Sequence, residues 1–127
     1  MKRILFACFL LTATCAATTQ HATAQTTPVV SASDFTAKVN TMDAQLASGD
    51  TVAAKATFSG IHQMMIMELG VTKNKIRTAA SDADKTADEA LMRNQTVIYK
   101  SIWALKTNLA ANRADLHTKL GQFVATF

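Results

Sequence analysis

From residue 33 onward the apolar positions follow helical periods, with no alternating run bounded by turn residues that would predict a strand. Phe35, Val39, Met42 and Leu46 recur at spacings of four, three and four, one stripe of an amphipathic helix. Ser33 and Asp34 stand at its start, where a capping oxygen and a negative charge suit unpaired N–H groups. Gly49 ends it, as a residue able to take positive φ, and Asp50 is placed to cap the next helix. That second helix is predicted from about Thr51 to Ala79, with Phe58, Ile61, Met65, Leu69 and Ile76 on one side. Lys73, Lys75 and Arg77 gather near its C-terminus, where the helix dipole favours cations. Ser81 and Asp84 resemble a capping box at the start of a third helix, whose stripe is Leu91, Ile98, Ile102, Leu105 and Leu109. The last segment carries Leu116, Leu120, Phe123 and Phe127. Asn112 with Asp115 looks like a further N-cap and places a break between residues 108 and 112. Positions 105, 109, 112, 116 and 120 also keep the register of one continuous helix.

Four helices with short connections predict an all-α, up-down-up-down four-helix bundle with a long central hairpin and shorter first and last helices. At 1.5 Å per residue the outer two helices are roughly 22 Å long and the middle two roughly 40 Å. The outer pair then covers only the half of the hairpin near Asp50 and Asn108. The other half, about Ile66 to Met92, is expected to project as a two-helix arm unless Gly70 breaks the second helix. The stretch AQLASGDTVAAKATF resembles one helix-turn-helix of tetratricopeptide-type repeats, but no second copy follows about 34 residues on. It reads as a common way to turn between helices.

The first 24 residues are a different kind of segment. Lys2 and Arg3 precede the apolar run Ile4 to Leu11, and a polar stretch leads to Ala22-Thr23-Ala24 before Gln25. This is the pattern of a secretory signal peptide cleaved after Ala24, and its apolar run is too short to span a bilayer. Residues 25–32 read as a flexible lead-in and 33–127 as a single helical domain. A lipoprotein route would acylate Cys15, but Thr12-Ala13-Thr14 before it fit that signal poorly. Both cysteines, Cys8 and Cys15, lie in the leader, so the exported chain is expected to lack disulfides and thiol chemistry. Two of the 13 basic residues leave with the leader, so the net charge of +4 becomes +2, too little and too evenly spread to predict nucleic-acid binding. A periplasmic or secreted location follows, with no transmembrane segment.

The stretch HQMMIMELG, residues 62 to 70, is the densest cluster of candidate chemistry. Stepping about 100° per residue from Phe58, His62 and Met65 fall on the core side, and Met64, Met67 and Val71 on the opposite side. Met65 reads as core filling, since a thioether adapts to irregular gaps. His62 reads as a half-buried imidazole with a local hydrogen bond. A copper(I) site would pair His62 with Met65, but it needs a further ligand that the sequence does not identify. Met64, Met67 and Val71 form an apolar strip that is either a wide helix face touching two neighbours or a contact surface. Met92, Tyr99 and Trp103 form a second off-stripe group, expected to pack against the last helix, with an interface as the other use.

No nucleophile elbow, phosphate loop, dinucleotide fingerprint or H-E-x-x-H motif is present, and no acid/base pair can be named. The chain is therefore expected not to be an enzyme. Asn94-Gln95-Thr96 matches a glycosylation sequon but falls within the third helix. Met42 and His117, with Arg113 four residues before the histidine, resemble the ligand arrangement of periplasmic four-helix b-type cytochromes. That resemblance, confined to these few residues, implies haem b held between the first and last helices. The leading expectation is an exported, non-enzymatic bundle that binds another protein or itself, through Met64, Met67, Val71, Met92, Tyr99 and Trp103. The other is a haem- or copper-binding bundle using Met42, His117, His62 or Met65.

Overall fold

The computed structural model describes residues 29–127. The expected signal peptide, its expected cleavage position and Cys15 lie outside the described residues. Four helices follow one another: α1 (Ala32–Ala47), α2 (Thr51–Thr78), α3 (Asp82–Ala104) and α4 (Arg113–Val124). Helix α1 packs on α2 and α4, and α3 packs on the same two, which closes a four-cornered bundle. None of these helices is long and apolar enough to cross a membrane.

The capping chemistry explains most of the boundaries. Ser31, ahead of Ser33, opens α1: its Oγ accepts from the Asp34 N–H at 3.0 Å, while Asp34 supplies the negative charge of the first turn. The packed unit also begins earlier than residue 33, because Val30 is buried in the core. Gly49 takes φ 81° after α1, the only positive φ among the described residues, and lets the chain reverse. Asp50 then caps α2 through Oδ1, which accepts from the Ala53 N–H at 3.0 Å. Ser81 caps α3, its Oγ accepting from the Asp84 N–H at 3.1 Å and donating to the Asp84 carboxylate at 2.7 Å.

The break between α3 and α4 is present, but the α-helix stops sooner than the apolar stripe predicts. After Ala104 the chain tightens into a 3-10 turn, Leu105–Asn108, and four turn residues lead to α4. Asn112 holds the N-cap position without capping. Its side-chain amide instead donates back to the Leu105 carbonyl at 3.3 Å, and the Asn108 side-chain Oδ1 accepts from the Ala111 N–H at 3.1 Å. Two asparagines thus tie the corner, and Leu109 between them is buried under it.

All four helices supply the core. Phe35, Ile61, Met65, Ile102, Leu116, Leu120 and Phe123 are wholly enclosed. Phe35 stacks on Phe123 at 5.8 Å between ring centroids and meets the edge of Phe127 at 5.3 Å. Burial on the hairpin continues past Ile66 to Glu68 and Thr72 on α2 and Gln95 on α3. The projecting arm is therefore shorter than the helix lengths alone predict. Part of its cover comes from near the two ends of the described residues: Val30 joins the core, and the Gln95 amide donates to Thr126 Oγ1 at 3.2 Å. From Lys73 to Ala87 nearly every side chain is exposed. Gly70 sits inside α2 without breaking it.

Candidate binding groove on the hairpin seam

Helices α2 and α3 run antiparallel, and each places side chains one turn apart on the flank that faces the other. Lys55, Phe58 and His62 come from α2. Tyr99 and Trp103 come from α3, and Lys106 follows in the 3-10 turn. The spacing of three or four residues stacks each set along its helix. The antiparallel seam then interleaves the two sets.

The result is a run of aromatic faces. The His62 ring lies on Trp103 at 4.3 Å between centroids and 24° between planes. Phe58 and Tyr99 flank the indole at 6.5 and 6.4 Å, both near parallel to it. His62 Nε2 and the Tyr99 hydroxyl share a hydrogen bond of 2.8 Å, which fixes the imidazole against the indole. The Lys106 ammonium lies over the Trp103 ring, 3.6 Å from its centroid, in a cation–π contact. Trp103 itself stays 36% exposed.

Around these rings opens a cleft of about 320 Å³, walled by Phe58, His62 and Trp103, with Lys55 and Lys106 at its sides and Ser59 at its lip. A smaller recess of about 140 Å³ continues past Lys55 to Thr51, Thr107 and Asn108. Among the described residues, no carboxylate lines either space and neither lysine has an ion-pair partner. The groove is thus aromatic in its walls and positive at its rim. That combination suits flat apolar groups and anions.

The sequence-derived candidates divide. Tyr99 and Trp103 do lie together, but against His62 and Phe58 of α2; the expected packing on the last helix is not what the structure shows, because α3 turns this flank toward its hairpin partner. Met92, two turns before Tyr99, is half-buried and outside the groove. The methionine strip is not one open surface. Met64 is half-buried against the core, Val71 is half-buried, and Met67 alone of the three is exposed. Lys55, Phe58 and Lys106 were not among the candidates, and their signal was modest: a cation one turn from an aromatic on each strand of the hairpin.

The metal and haem candidates differ in burial. Met65 is enclosed in the core, whereas His62 turns outward onto Trp103. Met42 is buried with the core residues, and His117 is exposed on the α1–α4 flank. His117 there borders an open cleft of about 590 Å³ with Asp43 and Arg113. Arg113 is already committed to Asp43 through a two-pronged contact at 2.6 and 2.7 Å. Among the described residues, no three histidines, cysteines or carboxylates cluster together.

Where the four-helix layer ends, Glu68, Thr72 and Gln95 are buried polar side chains. Among the described residues, Thr72 Oγ1 and Gln95 Oε1 have no hydrogen-bond partner. Loss of hydration raises the Glu68 carboxyl above its ordinary value, and Lys75 partly offsets the rise. Comparison of the chain with protein-family models, with curated proteins and with solved structures finds no match.

Proposed function

We propose that the chain is an exported, non-enzymatic binding module of the cell envelope, and that its recognition surface is the groove between α2 and α3. The observation that carries this reading is the stacked run Phe58, Trp103, His62 and Tyr99, left open to solvent on one side and flanked by two unpaired lysines. Aromatic side chains present large area with few rotors to freeze, which is why they anchor interfaces. The imidazole is held by a phenol and an indole, which suits it to shaping a surface more than to moving protons. Export rests on the leader-like segment through Ala24. Self-association through this groove is disfavoured, because two copies would bring four lysines together with no carboxylate between them.

Site-specific photo-crosslinking tests the reading in producing cells. A photoreactive residue replaces Ser59 at the lip of the groove in one strain and Gln122, exposed on α4, in another. The expected result is a discrete adduct from position 59 that is absent from position 122 and lost when Trp103→Ala is added. Equal adducts at both positions, or none from position 59, overturn it. N-terminal sequencing of the same material is expected to begin at Gln25.

A further inference from the structure

We infer that the occupant of the groove is an acidic peptide segment with an aromatic anchor, admitted when a carboxylate draws Lys106 off the face of Trp103. This rests on the groove being the recognition surface. Its volume of about 320 Å³ lies at the small end of ligand sites, which run from roughly 300 to 1,000 Å³. It accommodates one large side chain and its neighbours, not an extended cofactor. The smaller recess past Lys55 adds Thr51 and Asn108 and shares Thr107 with the groove, groups that suit the polar backbone of a chain continuing beyond its anchor. A free aromatic acid would leave that recess unused.

Charge and stacking are coupled at Trp103. The Lys106 ammonium sits 3.6 Å from the ring centroid and occupies the place a stacked aromatic needs. A neutral aromatic must displace the cation and offers it nothing in return. An acid without a ring pairs with the lysine and leaves the indole uncovered. A segment carrying both replaces the cation–π contact with an ion pair and then covers the exposed ring. Lys55, one turn from Phe58 on the facing helix, meets a second carboxylate across the anchor. The absence of any lining carboxylate lets both cations act in the same direction.

Trp103 is the only tryptophan of the chain, so its emission reports on this groove alone. The full exported chain is titrated with four probes: an acetylated Gly-Glu-Phe-Asp-Gly amide, the same peptide with both acids changed to lysine, the same peptide with Phe changed to alanine, and phenylacetate. The acidic aromatic peptide is expected to shift the emission saturably and to bind roughly five- to ten-fold tighter than each of the others. Lys106→Gln and Lys55→Gln are each expected to weaken it roughly two- to five-fold, an effect that salt reduces in the parent. Circular dichroism confirms that these surface variants remain folded. Equal affinity for the acidic and basic peptides overturns the assigned chemistry, as does tighter binding of phenylacetate, which would make the groove a site for free aromatic acids. Either result accompanied by the groove-specific adduct at position 59 leaves the recognition surface standing. Loss of that adduct together with no emission change removes both.

Discussion

The imidazole of His62 lies 4.3 Å from the indole of Trp103 and hydrogen-bonds the hydroxyl of Tyr99, so one α2 side chain locks two from α3. In the proposed reading, this contact joins packing to recognition. The three rings close the outer side of the hairpin seam, and the same arrangement holds Trp103 at a fixed angle to the cleft. A binding surface fixed before its partner arrives loses less side-chain freedom on association.

Removing the hydroxyl that fixes the imidazole separates the two roles. Tyr99→Phe keeps the stack but deletes the hydrogen bond, and is expected to cost about 0.5–1.5 kcal/mol in urea unfolding. His62→Ala uncovers the indole as well, so acrylamide quenching of Trp103 is expected to rise well above that of Tyr99→Phe. Equal quenching in the two variants would mean that the imidazole does not shield the indole.

The apolar stripes made the bundle legible, because a period near 3.6 identifies which face is buried whatever covers it. Phe35, Val39, Met42 and Leu46 are all core residues, as are Leu116, Leu120 and Phe123. The groove was harder to read. Tyr99 and Trp103 stand off the α3 stripe, yet nothing local says whether that flank meets α2 or α4; the answer depends on how the hairpin closes. Lys106 over the indole was invisible for the same reason, since its position depends on α3 yielding to a 3-10 turn at Leu105. The end of the bundle was misjudged because Val30 and Thr126, near the two ends of the described chain, contribute cover that helix lengths do not register.

Two glycines are expected to respond in opposite directions to alanine. Gly49 sits at φ 81° with open space around its Cα, so Gly49→Ala meets no clash but must hold a left-handed backbone. A loss of about 1–2 kcal/mol is expected. Gly70 is within α2 and equally uncrowded, and Gly70→Ala is expected to add about 0.5–1 kcal/mol through better helix propensity. Thermal melts of the two variants check the contrast, and a stabilised Gly49→Ala would contradict the turn geometry.

Asp43 and Arg113 set an acid-side dependence. The hydrogen bond from Arg113 holds the Asp43 carboxyl below its ordinary value of 3.8, helped by the nearby guanidinium charge and opposed by lost hydration. A lowered folded-state value means that the pair's contribution is present above the unfolded carboxyl's pKa and fades as pH falls through the folded one. Both side chains are partly exposed, so solvent screening keeps the effect small. Asp43→Asn is expected to melt slightly below the parent at pH 7 and to coincide with it near pH 2. A gap that persists in acid would place the effect in packing instead of charge.

Glu68 runs the other way. Its side chain is nearly hidden from solvent at the edge of the packed layer, where burial raises its carboxyl above the ordinary 4.5 and Lys75 softens the shift. A raised folded-state value means that the folded protein holds the proton more tightly than the unfolded chain. The associated stability is complete below the unfolded value and is lost as pH climbs through the folded one. Glu68→Gln keeps the shape and removes the charge. It is therefore expected to match the parent near pH 4 and to exceed it at pH 7 by about 0.5–1 kcal/mol, toward the lower end for a stabilising substitution. Melts of both proteins from pH 4 to 8 read the difference directly. If Glu68→Gln is the less stable at pH 7, the carboxylate is satisfied in the folded state and its charged form contributes more than its burial costs.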